Sequence, residues 1–176
     1  MVLDHKIFIR EVILYILCTA IGLFAISIFS SAQEKLPKPI SVTVVTTQDL
    51  SFGEFTQGSS GGTISVSPAG LRSSSGTVVP LSLGGLSYSA ALFEIRANPG
   101  TVIGILNGPD VALTRSGGGS MNLHLGSSSP SSPFITTAIP PSTTSLTIGG
   151  TLTVGTPAAN PPGNYSGVFY ITFIQE

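Results

Sequence analysis

From Ile40 onward, apolar residues recur at every second position. In 40–47, Ile40, Val42 and Val44 fall on one face, with Ser41 and Thr43 on the other. That is the period of a half-buried strand. Leu50 and Phe52 continue the alternation, and Gly53, Gly58, Gly61 and Gly62 then predict a loop. A strand is expected over 63–67, turn material over 69–76, and a further strand over 77–83, where Pro80 marks an edge or a break. In 89–98, Phe93 and Ile95 point one way and Glu94 and Arg96 the other, before the turn Asn98-Pro99-Gly100. The run 101–106 is apolar on both faces, which predicts a more fully buried strand; Asn107-Gly108 after it is a hairpin signal, complicated by Pro109. Strands over 111–114 and 121–125 flank Gly117–Gly119, with Met121, Leu123 and Leu125 inward and Asn122 and His124 outward. A low-complexity loop over 126–133 leads to strands over 134–139 and 146–154, the latter with a bulge or bend expected at Gly149-Gly150.

The last segment, 165–174, has the strongest pattern. Tyr165, Phe169, Ile171 and Phe173 share a face and should be core, while Val168, Tyr170 and Ile174 lie opposite with Ser166 and Thr172. A half-apolar outer face is wasteful on a free surface unless something covers it. The first strand is likewise apolar and β-rich, so Ile40, Val42, Val44, Val168, Tyr170 and Ile174 are the candidate interface, against the plainer reading that both strands pair only within their own sheet. About eight to ten short strands at regular spacing, with no helical period, predict an all-β domain over 40–176. The expected form is a single Greek-key β-sandwich.

The chain before it reads differently. Lys6 and Arg10 precede an apolar run from Val12 to Phe29, and Ser30-Ser31-Ala32 follow. This is the order of a signal peptide, 1–32, cut between Ala32 and Gln33. The competing reading is an uncleaved anchor, since the run as a helix would extend about 27 Å. Residues 33–39 form a polar, Pro-containing lead-in. Cys18, the one cysteine, lies inside the apolar run, so the exported part has no disulfide and no thiolate metal site. Leu17 before it argues against a lipid-attachment motif.

Only 9% of the 176 residues are charged, against about a quarter in an average soluble domain. With a net charge of −1 and no basic patch, nucleic acid is not an expected partner, and a membrane is expected only through the signal segment. Catalytic groups are sparse. His124 is the only histidine of the exported part and reads as a solvated surface residue. No G-x-S-x-G elbow is present, Ser116 reads as a loop residue, and Gly117–Gly119 lacks the lysine and context of a phosphate loop. Asp49 and Glu54 are the one pair of acids that could approach one another, but turn capping and a solvated face explain them better than glycosidase chemistry. Asp49, Glu54 and Asp110 lie in no calcium-loop pattern, and Asn164-Tyr165-Ser166 matches a glycosylation sequon that fits a final turn equally well. No catalytic residue, cofactor or metal is therefore assigned.

Four segments in order, TQDLSFG (47–53), GTISVSPAGLRSSSG (62–76), GGTLTVG (149–155) and GNYSGVFYITF (163–173), resemble a secreted bacterial family, the domain of unknown function 4402 family. The resemblance covers roughly residues 40–175 and implies an immunoglobulin-like sandwich similar to pilin and spore-coat protein U domains, with no catalytic residues. Many pilins close their sandwich with a disulfide, which this chain departs from. The expected function is an exported, non-enzymatic cell-surface module, periplasmic, outer-surface or extracellular, of fimbria/pilin-like or adhesin-like kind. Its expected partners are copies of itself or other surface subunits through edge strands. The alternatives are a module binding surface glycans or a host surface, for which the chain has no Trp and few spare tyrosines, and, last, a polysaccharide-acting hydrolase.

Overall fold

A computed structural model describes residues 41–44 and 48–175. The signal segment, the Ala32–Gln33 junction, the lead-in and Ile40 lie outside the described residues. Every regular element among those described is a strand. In chain order they are β1 (Ser41–Val44), β2 (Ser51–Phe52), β3 (Phe55–Val66), β4 (Arg72–Pro80), β5 (Tyr88–Ser89) and β6 (Ala91–Arg96). Then follow β7 (Val102–Asn107), β8 (Val111–Thr114), β9 (Ser120–Ser129), β10 (Phe134–Ile135), β11 (Thr144–Val154) and β12 (Ile171–Gln175). All pairings are antiparallel. They form a seven-stranded sheet along β1-β6-β11-β3-β4, extended by β9 on β11 and β8 on β9; a three-stranded sheet, β10-β7-β12; and a two-stranded one, β2-β5.

Strand β11 organises the large sheet. Its first half, Thr144–Ile148, pairs with β6, and its second half, Gly150–Val154, pairs with β3. Thr147 is matched to both Leu92 of β6 and Ser129 of β9, so β9 must run along the opposite edge. The register slips between Ile148 and Gly150, where the neighbour changes from β6 to β3. The bulge expected at Gly149-Gly150 is therefore present, and its glycines are required by space. A Cβ at Gly149 would run into the Val66 carbonyl, and one at Gly150 into the Leu50 side chain.

Two apolar clusters follow from the two halves. One gathers Phe52, Ile64, Val66, Val78, Leu113, Met121, Leu123, Leu125, Leu152 and Val154. The other gathers Ala91, Phe93, Ile95, Ile103, Phe134, Leu146 and Ile148, so β6 and β11 face β7 and β10 across it. Each fully buried aliphatic side chain contributes about 1.5–3 kcal/mol. With no disulfide possible in 41–175, the clusters carry the fold. Leu50, Phe169 and Ile171 pack against both.

The β3–β4 hairpin departs from the sequence expectation. Residues 58–62 lie in β3 and 72–76 in β4, although the pattern predicts loop and turn there. Glycines allow it: Gly62 sits opposite Gly76, and the register then shifts so that Gln57 meets Val78. A Cβ on Gly62 or Gly76 would strike the facing backbone, and both have positive φ. The hairpin folds over at this bulge, bringing its tip back to its base. Arg72 at the tip donates from Nη1 to the Phe52 and Glu54 carbonyls and from Nη2 to the Leu81 carbonyl, with its guanidinium 4.4 Å from the centre of the Tyr88 ring. Pro80 ends β4, an edge strand, as its missing N–H requires.

Three further expectations are corrected. Asn107-Gly108 does not close a hairpin, because β7 and β8 belong to different sheets. Asn107 instead donates to the Leu125 and Gly126 carbonyls, and Gly108 N–H to Tyr170, pinning a crossing between layers. Residues 126–129, read as loop, extend β9. The strands expected over 134–139 and 165–174 contract to Phe134–Ile135 and Ile171–Gln175. Before Ile171, Ser166 makes a two-way bridge to Thr114 of β8, so the final segment passes from one sheet to the next.

Candidate interaction surface

The three-stranded sheet turns one face inward. Phe173 packs against Phe93 across the second cluster in an edge-on arrangement, ring centres 5.8 Å apart, and Ile103 and Phe134 are buried beside them. Tyr165, Phe169, Ile171 and Phe173 are half-buried, in keeping with the inward face expected of them.

The register defines the outward face. In antiparallel pairs, residues opposite one another share a face. Ile174 lies opposite Gly104, Thr172 opposite Leu106, and Ile135 opposite Val102. Leu106 is 59% exposed, Ile135 62%, Ile174 45%, Tyr170 72% and Val168 69%. Three of these, Val168, Tyr170 and Ile174, are as the sequence places them. Leu106 and Ile135 were not recognised. The run 101–106 reads as buried on both faces, yet only Ile103 and Gly104 are buried; Val102 is half-exposed. Its even positions match the even positions of β12, a signal visible only once the two strands are known to be neighbours. Among the described residues β12 is also an edge strand, paired on one side only.

Of the other candidate positions, Val42 and Val44 lie in β1, paired to Ile95 and Phe93 of β6, with β1 at the end of the large sheet. Strand β1 does pair within its own sheet, and among the described residues its second edge has no partner strand.

The remaining polar candidates do not converge. The Glu54 carboxylate accepts from Leu83 N–H, and Asp49 offers its backbone carbonyl to Ser89. His124 is exposed, as expected, and its Nδ1 meets Asp110 Oδ1 at 2.7 Å, while Asn122 donates to Oδ2 at 2.8 Å. These bonds, that from His124 foremost, hold the Asp110 carboxyl below the usual carboxylate range. The Asp110–His124 contact was missed because β8 and β9 had to be paired first. Among the described residues, no group of three or more His, Cys, Asp or Glu side chains comes together as a metal site.

A cleft of about 360 Å³ opens between Leu50–Gln57 and the 161–165 loop, floored by Leu113, Met121 and Leu152. Its rim bonds are largely internal. Tyr165 donates its hydroxyl to the Pro161 carbonyl, and Gln57 its amide to Asn160.

The described residues thus form an all-β domain of several antiparallel sheets with an outward apolar face on strands that carry no charged residue. Residues 42–174 match the family model described as a domain of unknown function, DUF4402, and the chain belongs to that family. Neither a curated protein nor a solved structure matches the chain.

Proposed function

We propose that the protein is an exported, non-enzymatic module of the bacterial cell surface, a structural subunit of fimbria/pilin-like or adhesin-like kind. We read its sheets as a pilin-like immunoglobulin Greek-key sandwich. The observation that carries this reading is the outward face of β10-β7-β12, with Leu106, Ile135, Tyr170 and Ile174 exposed, and Val168 just before it, beside a strand edge that no described residue pairs. A sheet that presents apolar side chains and an unpaired edge is suited to contact with another folded surface. The leader with its Ala32–Gln33 junction supports export.

The test is fractionation of cells expressing the full sequence, with N-terminal sequencing and electron microscopy of the purified product. A chain beginning at Gln33 in the periplasmic, surface or released fraction is expected. An uncut chain retained in the cytoplasm sinks the reading.

Surface-glycan binding is the second reading, supported by the cleft, whose lining includes Phe55, Tyr165 and Asn164. Aromatic faces with neighbouring amides suit sugar rings and hydroxyls. Competable hits on a glycan array, lost in Asn164→Ala, would favour it over the structural role.

A further inference from the structure

We propose that the outward face of the β10-β7-β12 sheet is a contact between two copies of this chain, packed face to face about a two-fold axis. The proposal rests on the surface-module reading above and names the partner of that same surface.

Charge selects the partner. Residues 97–109 and 116–175, which supply all three strands of this sheet, contain no Asp, Glu, Lys or Arg. A charged partner surface packed here would lose water without gaining a countercharge, a large cost for each ion. A second copy brings the same uncharged face. Long-range repulsion between copies is small too, because residues 41–175 hold only three arginines and four carboxylates.

Shape agrees with charge. Leu106, Ile135, Tyr170 and Ile174 stand out from the sheet, while Gly104, opposite Ile174, carries no side chain. Large side chains thus sit beside a position without one on a single patch. A two-fold axis brings a patch onto itself, so one face can supply both halves of the fit.

The size sets the strength. Strands β7 and β12, six and five residues long at about 3.4 Å each and about 4.8 Å apart, give a face of roughly 10 by 20 Å, to which two-residue β10 adds a short third row. With side-chain relief this is on the order of 300–400 Å² per copy, below the standard size and in the range of weak contacts. The contact is therefore a reversible one with a dissociation constant in the micromolar range or weaker. It closes at two copies, so any fibre would need a different surface for its growth.

Sedimentation velocity tests this on the product purified from cells expressing the full sequence, from about 1 µM to about 1 mM. The wild type is expected to pass from monomer to dimer. Leu106→Lys and Ile174→Lys each place a charge on the face and are expected to weaken dimerisation at least tenfold, with melting curves like the wild type's. Val79→Lys, an exposed apolar position on β4 in the other sheet, should dimerise unchanged. A wild type that stays monomeric throughout, or dimers that persist in both face variants, overturn the proposal. A wild type that is exported and cut at Gln33 yet stays monomeric overturns the contact while leaving the surface role standing. An uncut cytoplasmic chain with Leu106-dependent dimers would remove the surface role alone.

Discussion

Arg72 does at the residue scale what a disulfide would do in a stapled domain. Its fork holds three carbonyls from two separate stretches, Phe52 and Glu54 before the hairpin and Leu81 after it. Lysine could not reach all three, because its single ammonium lacks the planar fork. Hydrogen bonds from a charged donor are worth about 1.5–3 kcal/mol where partly buried, and losing the donor leaves carbonyls unpaired. Arg72→Met, which keeps most of the stem, is expected to lower unfolding free energy by about 2–4 kcal/mol in urea titration, with Arg72→Lys falling between it and the wild type. A change under about 0.5 kcal/mol in Arg72→Met would show that the latch is not holding the hairpin. The surrounding sequence, AGLRSSSG, gives no hint of this role. An arginine among serines and glycines reads as turn decoration until the hairpin is seen to fold over.

At the scale of elements, β11 shows how one strand serves two neighbours on one edge. The transfer from β6 to β3 happens at Gly149-Gly150, where Val66 and Leu50 fill the space that side chains would need. A methyl at Gly149 must displace backbone, which costs about 1–3 kcal/mol or more in a packed site. Gly126 lies across the same junction on β9, yet a Cβ there would meet nothing nearer than 3.5 Å. Gly149→Ala is therefore expected to lower the urea midpoint clearly, and Gly126→Ala to shift stability by about 0.5 kcal/mol or less. Equal effects at the two positions would mean that crowding does not explain the glycine at 149. The paired glycines were legible in the sequence as a bulge; which of the flanking glycines is crowded was not.

Over the whole molecule, the two apolar clusters are joined by β11 and by Leu50, Phe169 and Ile171, which touch both. Shared residues and a shared central strand should make the clusters unfold together. Tyrosine fluorescence, which reports Tyr165 against the first cluster, and far-ultraviolet circular dichroism, which reports all strands, are expected to give one coincident urea transition. Ile148→Ala, in the second cluster, should move both curves together, at a cost of about 2–5 kcal/mol. Separate midpoints would show two independent cores.

The alternation along the chain settled by itself that this is an all-β domain, where most strands lie, and which side of β6, β9 and β12 faces in. Met121, Leu123 and Leu125 are buried with Asn122 and His124 exposed, as their period of two demands, and Val168, Tyr170 and Ile174 face out. Periodicity is a property of single strands, and a single strand carries it whole. Neighbours are not. That β7 lies beside β12, so that Leu106 and Ile174 share one apolar face, depends on contacts between residues about seventy positions apart in the sequence. The same holds for Arg72 reaching Leu81, and for Asn107 pinning a layer crossing in place of a hairpin. Those outcomes were decided only when the sheets closed on one another, because the free energy that selects them comes from burial and hydrogen bonds that do not exist in any isolated segment.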